Sequence, residues 1–175
     1  MDRERLIKWG RLALLLVLAI VLQTVAASQL SILGVTADVF VIVVVLVAVG
    51  YGSMTGLIFG FLAGLTADVV FLDPIGMRTF MYLMIGYWVG RYVEEFGLGS
   101  AWVVVLLAGM VSLSAQTMYG VLQIVTGSEG SFLTMLVSQI LPAALLDGLL
   151  SAPLYLGLIR LRLLLQPQPA GPMFG

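Results

Sequence analysis

The stretch 51-YGSMTGLIFGFLAGLTADVVFLDPIGMRTFMYLMIGYWVGR-91 carries glycines at 52, 56, 60 and 64, and the next step of four lands on Asp68. On a helix these five positions form one narrow, slightly spiralling stripe of bare backbone that ends in a carboxylate. Asp73-Pro74-Ile75-Gly76 then breaks the helix, and Arg78 opens a second apolar run with its own small-residue positions, Gly86 and Gly90. Two hydrophobic helices joined by a short polar turn are expected here, each with a smooth face for a neighbour. The rest of the chain reads as helices packed around this hairpin.

Composition sets the solvent. Of 175 residues, 61% are hydrophobic and 10% charged, against about 25% charged in a soluble domain; the mean hydropathy is +1.14. Such a chain cannot cover a water-facing surface, and its length suits about six spans of roughly 20 residues with short loops. Residues 1–165 read as a single six-span membrane domain with no room for a second, soluble one. Residues 166–175, with Pro167, Pro169 and Pro172, read as a disordered cytoplasmic tail. The sequence has no cysteine and no histidine, which removes thiol chemistry, disulfides, zinc sites and the usual proton shuttle. No metal or cofactor is expected.

The expected spans are 12–30, 37–51, 54–72, 79–92, 101–125 and 132–161. Arg3, Arg5, Lys8 and Arg11 before the first apolar run resemble the start of a secretory signal, but the run continues to Ala27, longer than a signal's apolar region. It is read as an uncleaved first span. The second span is dense in valine, which in water would suggest a strand. In lipid an open strand leaves its backbone unsatisfied, so a helix is expected. Pro142 and Pro153 each remove a backbone donor from the last span, which should be kinked or split. Placing both termini in the cytoplasm puts seven of the eight basic residues inside, with Arg78 alone outside, as the excess of cytoplasmic Lys and Arg requires.

Each polar or small-residue motif carries two readings. The Gly52-Gly56-Gly60-Gly64 ridge is a close helix–helix contact face, either within this bundle or for a partner's transmembrane helix. Asp68 sits about a turn inside the outer end of its span; it is either half of a structural ion pair with Arg78 or a ligand or partner contact. Asp147 lies between the two prolines, with Ser151 and Tyr155 continuing its face at steps of four. Ser112, Gln116, Tyr119, Gly120 and Gln123 form a polar stripe on the fifth span. Facing each other, these two stripes make either interhelical hydrogen bonds or a small pocket at Gln116, Gln123, Asp147 and Tyr155, of the kind that broken helices build in transporters. No Ser/His pair, phosphate-binding loop or carboxylate pair fixed by spacing is present, so no catalytic set is expected.

The succession from Thr36 to Arg91 resembles the core of the bacterial rod shape-determining protein MreD family. The resemblance rests on Asp38 before the valine-rich span, on Gly56-Gly60-Gly64-Asp68, on Pro74-Ile75-Gly76, and on Gly86-Tyr87-Trp88-Val89-Gly90-Arg91. It implies an all-α integral membrane protein, a six-helix transmembrane bundle similar to the substrate-binding component of energy-coupling factor transporters. It implies an inner-membrane scaffold of the cell-wall elongation machinery that binds the transmembrane segment of MreC and maintains rod shape. The glycosyltransferase and class B penicillin-binding protein of that assembly would be indirect partners, with the lipid bilayer the direct surroundings. The other reading is a substrate-binding subunit of an energy-coupling factor vitamin transporter. The expected partner face is Gly52, Gly56, Gly60 and Gly64; Asp68, Arg78, Gln116, Gln123, Asp147 and Tyr155 are expected to be structural or to line a pocket.

Overall fold

The computed structural model describes residues 3–29, 37–71, 76–97, 101–125, 132–161 and 163–164. The expected turns at 31–36, 73–75 and 126–131, the Gln123 side chain and the tail 166–175 lie outside the described residues. The fold is all-helical among those residues: α1 (Arg3–Gln29), α2 (Val39–Tyr51), α3 (Ser53–Phe71), α4 (Met77–Phe96), α5 (Ala101–Val125), α6 (Phe132–Met135), a π-helical turn (Leu136–Ile140) and α7 (Leu141–Arg160). Three stretches, Leu6–Val25, Ser53–Phe71 and Leu133–Arg160, are long and apolar enough to cross a membrane; Val39–Tyr51 and Trp102–Met118 are shorter apolar helices.

The valine-rich segment is the centre of the bundle. Every residue from Val39 to Val49 in α2 is buried, and α1, α3, α4, α5 and α7 all pack on it. A helix that is hydrophobic all round belongs in such a place. Valine costs roughly 0.5 kcal/mol per residue in a helix relative to alanine. An unpaired backbone group in an apolar interior costs several kcal/mol. The backbone therefore decides, and the segment is helical. α2 has only 13 residues, which at 1.5 Å per residue is about 20 Å, short of the roughly 30 Å apolar core of a bilayer.

The ridge at Gly56, Gly60 and Gly64 meets α4. A Cβ on Gly56 would strike the Gly86 carbonyl, one on Gly60 the Tyr82 carbonyl, and one on Gly64 the Thr79 backbone. The fit is reciprocal, since Cβ atoms on Gly86 and Gly90 would strike the backbones of Gly56 and Ser53. Backbone thus lies on backbone along about three turns, and α3–α4 is the most extensive helix pair in the fold. Of the two readings of the ridge, packing within the bundle is the one whose contacts the structure contains. Gly52 is different: it is not in a helix, takes φ +84°, and forms the tight α2–α3 turn.

The last span is one path with one irregularity. Pro142 has no N–H to give to the carbonyl four residues back. Just before it the helix widens, and the Leu141 N–H donates to the Leu136 carbonyl five residues away. Pro153 is accommodated inside α7 without ending it. The expected interruption is therefore a π turn upstream of the first proline, and the helix runs through the second.

Candidate functional site: a buried polar layer

Two polar layers hold the apolar helices in register. The first surrounds the α2–α3 turn. Glu94 of α4 accepts from the Ser53 N–H at 2.7 Å and from its hydroxyl, so the first turn of α3 is capped by a neighbouring helix. Lys8 of α1 donates to Thr55 Oγ1 at 2.8 Å and lies 5.6 Å from the centre of the Tyr51 ring. The Tyr51 hydroxyl donates to the Leu163 carbonyl at 2.6 Å. The start of α1, the α2–α3 turn, the end of α4 and residues 163–164 therefore share one end of the bundle.

The second layer lies at the N-terminus of α2, deep among the helices. The first N–H groups of a helix have no intrahelical acceptor. Here the preceding residue and two other helices supply acceptors. Asp38, the residue before α2, accepts from the Val41 N–H at 3.2 Å. Gln23 of α1 accepts from the Val39 N–H at 2.7 Å and donates to the Ala37 carbonyl at 3.2 Å. Asp147 of α7 accepts from the Asp38 N–H at 2.8 Å, and its other oxygen accepts from the Ser112 hydroxyl of α5. Asp38, Gln23, Ser112 and Asp147 are all buried. Each polar group in this apolar setting thus has a partner, as the cost of leaving one bare requires.

Arg78 closes the layer from α4. Its guanidinium donates to Asp38 Oδ2 at 3.0 Å and stacks 4.1 Å from the centre of the Phe71 ring. The Tyr82 hydroxyl, one turn along α4, donates to the same Asp38 oxygen at 2.5 Å. The expected Asp68–Arg78 ion pair takes another form. Asp68 accepts from the Arg78 backbone N–H at 2.9 Å, from the Gly76 N–H at 2.8 Å, and from the N–H and hydroxyl of Thr79 at 3.3 and 2.6 Å. The start of α4 presents orphan donors directly to the end of the glycine ridge, and a short carboxylate there meets backbone first. The longer arginine side chain reaches past it to Asp38.

The structure brings Asp147 against Ser112, so the polar stripes of α5 and α7 do face each other. Asp147, Ser151 and Tyr155 are buried along one face of α7. The expected pocket is not assembled from all four residues. Gln116 lines a small cavity with Asp38, Arg78 and Tyr82, and neither Asp147 nor Tyr155 lines it. Sequence reasoning assigned no role to Gln23, Tyr82 or Glu94. Asp38 carried a usable signal, an aspartate immediately before an apolar run in the N-cap position. Gln23 carried a weaker one, an amide inside an otherwise greasy span. Tyr82 and Glu94 carried none, because their partners lie about 40 residues away in sequence.

The site is a buried polar layer, every described acid of which is engaged in hydrogen bonds, inside an all-helical fold with three helices long and apolar enough to cross a membrane. The family model for the rod shape-determining protein MreD matches residues 3–166, and the chain belongs to that family. Membership assigns it a role in rod shape determination and, with its apolar helices, points to the inner membrane. No curated protein and no solved structure matches the chain.

Proposed function

We propose that the chain is a non-enzymatic scaffold of the cell-wall elongation machinery that holds the transmembrane helix of MreC. The observation that carries this reading is where the polar and glycine faces point. Both are turned inward and joined to other helices of the chain, which leaves rigid apolar outer faces. A rigid face lowers the ordering cost of docking. The α3–α4 pair is the most tightly closed, and α3 exposes Met54, Ile58, Phe61, Leu62 and Val69 at helical spacing. This is the spacing by which one helix reads another. The ridge at Gly56, Gly60 and Gly64 contributes to partner binding by closing the hairpin that presents this stripe, and Gly52 by making the turn that leads into α3. The glycosyltransferase and the class B penicillin-binding protein are reached through MreC. Both termini lie in the cytoplasm; the distribution of basic residues and the shared end of α1 and residues 163–164 support that orientation.

The test is co-purification with tagged MreC from membranes. Ile58→Trp with Phe61→Trp should lose MreC while the protein's melting is unchanged. Full recovery of MreC with this variant overturns the α3 face. The transporter reading requires a polar pocket large enough for a vitamin, and the cavity at Gln116 measures about 10 Å³. A thermal-shift screen with vitamins separates the two, because a bound ligand raises stability by mass action.

A further inference from the structure

The cavity between α2, α4 and α5 has a volume of about 10 Å³ and is lined by Asp38, Arg78, Met81, Tyr82, Ala115 and Gln116. A buried water needs roughly 10–15 Å³ of such volume and two to four polar partners. The walls supply a carboxylate, a guanidinium, a phenol and a carboxamide. The first three are already joined to one another. Gln116 is half-buried, and its carboxamide has no hydrogen-bond partner among the described residues. A carboxamide beside a polar cavity is well matched by an occupant that both donates and accepts.

Charge decides which occupant fits. A cation would face the Arg78 guanidinium across a space one atom wide. An anion would face Asp38, with Asp147 bonded directly behind it. A neutral molecule of this size meets neither obstacle. We propose that one buried water occupies this cavity and bridges the Gln116 carboxamide to the Asp38–Arg78–Tyr82 group, joining α5 to α2 and α4. The joint matters because α4 and α5 touch each other only sparsely. Further along the same two helices an apolar cleft of about 340 Å³ opens between Met84, Trp88, Met110 and Ser114. The water is the polar link across that seam.

Hydroxyl-radical footprinting of the full chain in lipid nanodiscs tests this, because radiolysis of a trapped water labels the side chains touching it. Met81 and Tyr82 are 9% and 1% exposed, and Tyr155, away from the cavity, is 8% exposed and serves as the reference. Met81 and Tyr82 should be oxidised several-fold faster than Tyr155. Gln116→Leu, which fills the cavity, should bring both down to the reference. Labelling of Met81 and Tyr82 at the Tyr155 level in the unmodified protein overturns the proposal and needs no variant. A fall in their labelling on adding sodium or chloride would identify an ion and overturn it as well. Should Gln116→Leu fold poorly, Gln116→Met provides the same filling with a more adaptable side chain.

Discussion

The α3–α4 hairpin and the α5–α7 pair both cross at glycines, and the two crossings differ in closeness. Along α3–α4 five glycines in register bring backbone onto backbone, with no space for a single methyl at Gly56, Gly60, Gly64, Gly86 or Gly90. At the α5–α7 crossing, a Cβ on Gly148 would sit 3.4 Å from Gly109 Cα and from the Val105 carbonyl, an ordinary contact. That pair leaves an apolar groove of about 400 Å³ along its outer side, between residues such as Met110 and Leu145. It also contains the π turn and both prolines. Repetition of the four-residue step is what separates the two: one glycine per helix permits approach, while a continuous file enforces it.

Breaking the closer crossing should have the largest effect. Gly60→Leu drives a side chain into the Tyr82 backbone, which cannot move aside as a side chain could. Overpacking a core costs typically 1–3 kcal/mol, and this case should exceed about 3 kcal/mol, with loss of monodisperse protein in size-exclusion chromatography. A wild-type melting curve for Gly60→Leu would mean that the hairpin is not closed as described. Asp68→Ala comes next. It strips an acceptor from three backbone N–H groups and a hydroxyl at the start of α4, each left unsatisfied at about 1–3 kcal/mol before relaxation. Thr79→Val removes one of those bonds and should lower the melting temperature less. An equal loss for the two would mean that the hydroxyl bond dominates.

Smaller effects sharpen the contrast. Glu94→Ala removes the cap on α3 and should cost about 1 kcal/mol, seen most clearly as faster hydrogen exchange at the Ser53 amide. Unchanged exchange there would show that another group caps the helix. Gly148→Ala should be the mildest. The gain in helix propensity of up to about 1 kcal/mol comes with only an ordinary contact, so the melting temperature should stay the same or rise slightly. A collapse comparable with that of Gly60→Leu would erase the distinction between the two crossings.

The sequence made the helices legible to within a few residues, and for α5 (Ala101–Val125) to the residue, except that α1 begins at Arg3, well before the expected start at residue 12. It also made the valine-rich segment legible as a helix, because the cost of bare backbone outweighs side-chain preference. The glycine ridge announced a contact but not its partner. Periodicity fixes where a face points relative to its own axis and says nothing of which helix stands opposite. The polar layer was half visible. Asp68 and Asp147 stood out as acids in apolar runs, whereas the direction of Arg78 toward Asp38 depends on how far a long side chain reaches once the helices are in place. The π turn was hidden for a related reason. A proline forces a backbone adjustment but leaves open whether it appears as a kink, a break or a widened turn.

α2 is covered on all sides, and this has a consequence for how the protein is made. α2 precedes α3, α4, α5 and α7 in the chain yet becomes the innermost helix, so it cannot be added last. It must wait in the membrane while later helices close around it, and the final flank is covered only when α7 arrives with Asp147 to receive the Asp38 amide. A chain truncated before α7 would expose a valine surface and leave the Asp38 amide without its acceptor.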